Sequence, residues 1–368
     1  MKPYSRIVVK VGSSTLARVE GGIDREYVAS LVEQLCDVRD SGCSIILVSS
    51  GAILAGMKAL GFDKRPADIA SLQATAAVGQ VRLIETYAEY FAERGVPVGQ
   101  VLLTRHDTGH RESYLHARDT FERLFALGAV AIVNENDTVA VDEIRFGDND
   151  SLAALVATMV SADLVVLLSD IAGLYDADPR IAEEARLLDR VDVLTDDLMA
   201  AAGGTGTAAG SGGMATKVEA AKVLMKAGIP MVICDGRQPN AVVDAASGQS
   251  VGTMFVGGEG TIGARKLWIA LGRKPAGEIV IDDGACSALI ERGKSLLPAG
   301  VVSVSGVFDA GDAVVLMSRT GALVGRGLSE ISAADLDLVK GMRTSDIEAE
   351  YPAIAGREVV HRDRLVVF

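Results

Sequence analysis

The chain has 368 residues, 49% of them apolar and only 4% aromatic, with a formal net charge of −13. That length suits two or three domains, and the aliphatic composition suits an α/β core better than an aromatic-rich sandwich. The negative charge argues against a nucleic-acid binder driven by phosphate attraction, and no apolar run reaches the roughly 20 residues needed to cross a bilayer.

In chain order, the start Met1-Lys-Pro-Tyr-Ser-Arg6 runs straight into a strand at 6–11, so no signal peptide is expected. An amphipathic helix over 24–41 follows, with Asp24 as N-cap and Gly42 as its stop. A strand at 44–49 leads to helices near 51–60 and 68–94. Then come a strand at 97–103, a helix near 111–127, a strand at 129–133, a helix at 150–161 and a strand at 163–168. Residues 200–213, rich in Gly, Ala and Thr, read as a mobile loop before a helix at 215–227 and a strand at 230–234. Short aliphatic strands alternating with helices predict a mostly parallel sheet covered on both faces.

The character changes near Gly257-Gly-Glu-Gly260. Strands at 278–282, 301–305, 313–318, 322–327 and 364–368, with helices at 284–292 and 332–340, predict a small β-rich second domain. The expected division is 1–258, a linker at 259–274, and 275–368. The four cysteines (Cys36, Cys43, Cys234, Cys286) lack C-x-x-C spacing, which reads as reduced thiols of a cytosolic protein.

Chemistry is expected at the turns after the parallel strands, where open α/β sheets bind ligands. In Lys10-Val-Gly-Ser-Ser14 a lysine closes a buried strand beside a glycine. It suits a phosphate contact; a solvated strand-end lysine is the alternative. Ser49-Ser-Gly-Ala52 leaves room for an anion at a helix start, or is an ordinary N-cap. Asn134-Glu-Asn-Asp137 and Gly147-Asp-Asn-Asp150 mix amides with carboxylates, which suits an amino acid; Asx turns are the alternative. Ser169-Asp-Ile-Ala-Gly-Leu-Tyr175 through Pro179 suits a base and ribose, or is a long connection. Gly210-Ser-Gly-Gly-Met-Ala-Thr-Lys217 opens a helix, so glycine N–H groups, the helix N-terminus and Lys217 converge on one anion. His106, His110 and His116 lack a metal motif and read as solvated. There is no G-x-x-x-x-G-K-[ST] and no G-x-G-x-x-G opening the first helix.

Together with Ala76-Ala-Val-Gly-Gln80, Leu102-Leu-Thr-Arg105 and Asp178-Pro179, these turns resemble the amino-acid kinase superfamily and, within it, the glutamate 5-kinase family. Pro275-Ala-Gly-Glu278 and Gly293-Lys-Ser-Leu-Leu-Pro298 resemble a PUA domain. The resemblance implies ATP-dependent phosphorylation of the L-glutamate γ-carboxylate at the head of proline biosynthesis. It implies ATP on Lys10, Ser169, Asp170 and Ser211, Gly212, Gly213, Met214, Ala215, Thr216 and Lys217. It implies glutamate on Ser50, Asp137 and Asn149, with Asn134 close by. Lys10 and Lys217 would flank the transferring phosphoryl group, with Asp150 holding both.

Mg²⁺ is expected on the ATP phosphates, with no dedicated protein site. The resemblance further implies a cytoplasmic homo-oligomer (dimer or tetramer), proline as feedback inhibitor and a glutamyl-phosphate reductase as partner. No membrane association is expected. His116 stands where the family has asparagine, and Ser211 where it has threonine. The alternatives are N-acetylglutamate kinase, aspartokinase, uridylate kinase, a catalytically dead sensor, or an RNA-binding protein acting through the tail. Against the last, the segment 275–368 holds more acidic than basic residues.

Overall fold

A computed structural model describes residues 4–18, 21–104, 111–139, 149–177, 179, 182, 184–202, 213–258 and 275–367. Two compact units make up the chain, Met1–Thr261 and Ile262–Phe368. The expected linker 259–274 lies outside the described residues.

In the first unit, eight strands share one sheet: β1 (Arg6–Val11), β2 (Ser44–Ser49), β3 (Val98–Leu103), β4 (Val130–Glu135), β5 (Leu164–Ser169), β6 (Arg190–Val191), β7 (Met231–Asp235) and β8 (Thr253–Phe255). Their order is β3-β4-β2-β1-β5-β7-β8-β6. Every neighbouring pair is parallel except β7–β8. The helices are α1 (Ser13–Leu16), α2 (Arg25–Asp40), α3 (Ala52–Leu60), α4 (Ile69–Glu93), α5 (Arg111–Ala126), α6 (Asn149–Met159), α7 (Asp196–Ala202), α8 (Met214–Lys226) and α9 (Ala241–Ser247).

Continuous aliphatic runs make the central strands. β5 is buried along its whole length, as a parallel strand covered on both faces must be. The Asp24 side chain accepts from Tyr27 N at 3.2 Å and starts α2, whose Leu31, Val32 and Leu35 enter the core. α6 is buried except at Ser151, which is partly buried, and packs on β1, β2, β4, β5 and α8. Because β2 lies on one side of β1 and β5 on the other, the strand order reverses at β1. A crevice therefore opens beyond the carboxyl ends of these strands.

The second unit is a five-stranded sheet of β9 (Gly277–Ile281), β10 (Val301–Gly306), β11 (Ala313–Ser318), β12 (Leu323–Leu328) and β13 (Leu365–Val367). Its order is β10-β9-β11-β12-β13, with only β9–β11 parallel. Helices α10 (Asp283–Ile290), α11 (Ala333–Val339) and α12 (Thr344–Glu350) accompany it. Ile279, Ile281, Leu316, Val324 and Leu336 are core residues there.

Three differences from the sequence expectations have physical causes. β4 runs on through Asn134 and Glu135, because both pair with Leu102 and Leu103 of β3; they are strand residues and not the turn expected. β6, β8, α1, α7, α9 and α12 were not expected, being too short to show a hydrophobic period. Residues 200–202 belong to α7 and not to a loop, while 203–212 lie outside the described residues. β8 is held in place by Thr253, whose hydroxyl accepts from Leu174 N at 2.8 Å.

α3 and α4 touch backbone to backbone. A Cβ on Gly79 would lie 1.7 Å from the Ala52 carbonyl oxygen, and one on Gly56 would lie 1.9 Å from that of Thr75. A helix-interior Gly→Ala change ordinarily stabilises by about 0.5–1 kcal/mol. Here Gly79→Ala is expected to destabilise by about 1–3 kcal/mol through overpacking. Urea denaturation checks this, and a variant more stable than the parent would contradict the close approach.

Candidate active site

The site begins at a carboxylate. Asp150, in the first turn of α6, is fully buried. Its Oδ1 pairs with Lys10 Nζ, from the penultimate residue of β1. Its Oδ2 accepts from Lys217 Nζ at 3.0 Å and from the Thr216 hydroxyl at 2.9 Å, both in the first turn of α8. Lys10 and Lys217 are each only 5% exposed. Two buried cations thus share one anion, and the cluster carries an excess positive charge in a poorly solvated place. Burial pushes the Asp150 carboxyl up, but Lys10 and Lys217 outweigh it and hold the group at about 2, below its ordinary 3.8.

Two helix starts border the cluster. α8 has Gly213 as N-cap, which brings no capping side chain to the helix start. An uncapped helix N-terminus suits an anion. Gly12, after β1, has no side chain of its own: a Cβ there would lie 3.8 Å from Lys10 Nζ.

Beside the cluster lies a cavity of about 450 Å³, whose lining includes Ser50, Asn134, Glu135, Asp137, Asn149 and Asp170. Gly51 gives it room. It caps α3 at φ +102°, a conformation that favours glycine, and turns the chain sharply out of β2. Asn149 Nδ2 reaches Ser50 Oγ at 3.0 Å, Asn134 Oδ1 at 2.9 Å and the Ser49 carbonyl at 3.2 Å. Asn134 Nδ2 donates to Gln80 Oε1 at 2.9 Å, and the Ser49 hydroxyl meets Tyr87 OH at 2.9 Å. Donors and acceptors therefore alternate around Asn149, and the carboxylates of Glu135, Asp137 and Asp170 also line the cavity.

Most of the candidates expected from the sequence are drawn into these two groups. Ser50, Asn134, Asp137 and Asn149 line the one cavity. Lys10, Asp150, Thr216 and Lys217 form the charged cluster. Asn149 and Asp150 are consecutive, so one turn of α6 serves both. Asp170, expected with the nucleotide, lines the cavity of the amide residues and accepts from the Ser169 hydroxyl at 3.2 Å. Gly213, Met214 and Ala215 sit at the start of α8; Ser211 and Gly212 lie outside the described residues. So do Arg105, His106, His110, Gly147, Asp148 and Asp178, whereas His116 is exposed on α5. Arg65, also on the cavity wall, and Gln80, bonded to Asn134, were not singled out as contacts. Gln80 had a signal, since it ends the Ala76–Gln80 motif; Arg65 had none.

An amino acid kinase family model matches residues 5–235, and a PUA domain model matches 277–351. A glutamate 5-kinase of Geobacter sulfurreducens is 45% identical over 367 residues, covering 100% of this chain and 98% of that one. One from Caldanaerobacter subterraneus subsp. tengcongensis is 45% identical over 362 residues, covering 98% and 97%. One from Herpetosiphon aurantiacus is 46% identical over 365 residues, covering 99% of each. The parallel sheet, the buried lysine–aspartate–lysine cluster and these matches define the class: a kinase of the amino acid kinase fold carrying a PUA domain. Within that class, the chain belongs to the glutamate 5-kinase family.

Because the folded Asp150 titrates at about 2, below its ordinary 3.8, the unfolded chain binds more protons between these values. Its stabilising contribution is therefore present above about pH 4 and lost as pH falls toward about 2. Asp150→Asn leaves two buried lysines without their anion and is expected to cost about 3–5 kcal/mol at pH 7. Denaturant titrations across pH should show the gap to the parent flat above pH 4 and narrowing below it. A gap that widens with acid would contradict the assignment.

Proposed function

We propose that the chain transfers the γ-phosphoryl group of ATP to the side-chain carboxylate of L-glutamate, forming L-glutamyl 5-phosphate for proline biosynthesis. The observation that carries this is the adjacency of Asn149 and Asp150: one residue turns to an amino-acid-sized polar cavity, the next holds two buried lysines. The glutamate γ-carboxylate is ionised at neutral pH and is already a nucleophile, so no general base is needed. The difficulty is bringing it against an anionic phosphate. Phosphoryl transfer calls for positioning and charge stabilisation more than covalent chemistry. Lys10 and Lys217 supply the charge, and Asp150 keeps them in place without neutralising both.

In this reading Gly213, Met214, Ala215, Thr216 and Lys217, with Ser169, Asp170 and Lys10, hold ATP. Ser50, Asn134, Asp137 and Asn149 hold glutamate, and Asp137 suits its ammonium. That preference for a free amine separates the proposal from N-acetylglutamate kinase. Mg²⁺ carried on the ATP phosphates would add to the neutralisation of their charge. Among the described residues, no group of three or more His, Cys, Asp or Glu could hold a metal ion.

Residues 1–258 would carry the reaction and 275–368 a separate PUA unit. Membership of the family supports a homo-oligomer, proline as inhibitor and a glutamyl-phosphate reductase as consumer of the labile acyl phosphate. The four cysteines, all free thiols, support a cytoplasmic setting. Among the described residues no helix is long and apolar enough to cross a membrane.

A coupled ADP-release assay over glutamate, N-acetylglutamate, aspartate and UMP tests the acceptor. Glutamate is expected to be turned over best, and turnover of N-acetylglutamate without glutamate would remove the proposal. Lys217→Ala is expected to lower kcat by about 10²-fold or more, with a much smaller rise in the KM for glutamate, because its contact strengthens in the transition state. An unchanged kcat would take Lys217 out of the chemistry.

A further inference from the structure

Two backbone groups decide which way the amides of the cavity wall face. The Glu135 N–H can only donate, and it bonds Asn134 Oδ1 at 2.9 Å. The Ser49 carbonyl can only accept, and it takes Asn149 Nδ2 at 3.2 Å. Asn134 must therefore turn its NH₂ the other way, where Gln80 Oε1 accepts it at 2.9 Å. Asn134 Oδ1 in turn faces Asn149 Nδ2 at 2.9 Å. The N–H groups of Asn149 are used up on Ser49, Ser50 and Asn134. What Asn149 has left for a ligand is its carboxamide oxygen.

Gln80 belongs to α4 and stands on none of the catalytic strands. It reaches Asn134 because Gly79, the residue before it, lets α4 settle onto the Ala52 carbonyl at the start of α3. Without an acceptor at Gln80, the buried Asn134 NH₂ loses its partner. Rotating that amide to find another would set its NH₂ against the Asn149 NH₂ and the Glu135 N–H.

We infer that Gln80 is a positioning residue for the amino-acid site: by accepting from Asn134 it holds in place the amide polarity that the backbone groups dictate, in which Asn149 is an acceptor for the substrate's ammonium group. The inference rests on the glutamate-kinase activity proposed above. Gln80 itself touches no reacting atom.

The test compares the full-length parent with Gln80→Glu, which keeps an acceptor, Gln80→Met, which keeps length alone, and Gln80→Lys, which presents a donor. Expected glutamate KM values rise in the order parent, Glu, Met, Lys. The Met variant should lie about tenfold above the parent, the effect of one buried hydrogen bond. The KM for ATP and kcat should stay within about twofold, since the lysine cluster is untouched. Inhibition by glutarate, which is glutamate without its ammonium, should be equal for the parent and the Met variant.

A Met variant with the parent's glutamate KM overturns the inference. So does a parallel rise in both KM values, or a Lys variant better than Met, or glutarate weakened as much as glutamate. A parent enzyme that does not phosphorylate glutamate overturns the proposed activity and this inference together; a parent that does, matched by its Met variant, overturns this inference alone.

Discussion

Burying the Asp150 carboxylate out of reach of water is tolerable only with compensating cations and hydrogen bonds around it. Lys10 and Lys217 provide them from β1 and α8, two elements far apart in sequence. Removing Asp150 would leave two buried cations without their counterpart, so β1, α6 and α8 hold one arrangement. A pair of apolar side chains could hold these elements together at lower desolvation cost. The charged arrangement suits chemistry: two cations against one anion leave a site poised for a polyanion in a medium that screens poorly.

The rest of the site is arranged around that charge. The strand order reverses at β1, which opens the crevice where Lys10 emerges. α6 starts at the crevice with Asn149 on the polar cavity and Asp150 in the charged cluster, so consecutive residues of one helix turn join the two. A support packed into the core suits a reaction that depends on bringing two anions to a defined distance. Glycines make the approach possible: Gly51 turns the chain out of β2, and Gly56 and Gly79 bring α4 onto α3, so that Gln80 and Tyr87 stand behind the cavity wall.

Much of this was legible from residues alone. The parallel core, the order of its main strands and helices and the β-rich tail follow from aliphatic runs, caps and glycine stops, which are local signals. Lys10 and Lys217 stood out as lysines beside glycine turns, with a solvated strand-end lysine as the alternative for Lys10, while the place of Asp150 between them came from the resemblance to the kinase family. The short elements β6 and β8 were not, since two or three residues show no period; pairing with distant strands makes them strands. Asn134 and Glu135 read as a turn by residue type and became strand residues because β3 supplies their ladder partners.

The amino-acid sequence by itself determined the inventory: a parallel α/β unit, a β-rich unit, two lysines and an aspartate at element ends, and amides mixed with carboxylates after the fourth long strand. Only the tertiary structure decided the groupings. It joined Lys10 to Lys217 through Asp150, put Asp170 on the same cavity as Ser50 and Asn149, and gave Gln80 its tie to Asn134. The physical reason is that burial and backbone pairing are properties of neighbours in space. Which face of Asn134 meets an N–H, and which carboxylate stands between two lysines, depends on contacts across scores of residues that no local pattern encodes.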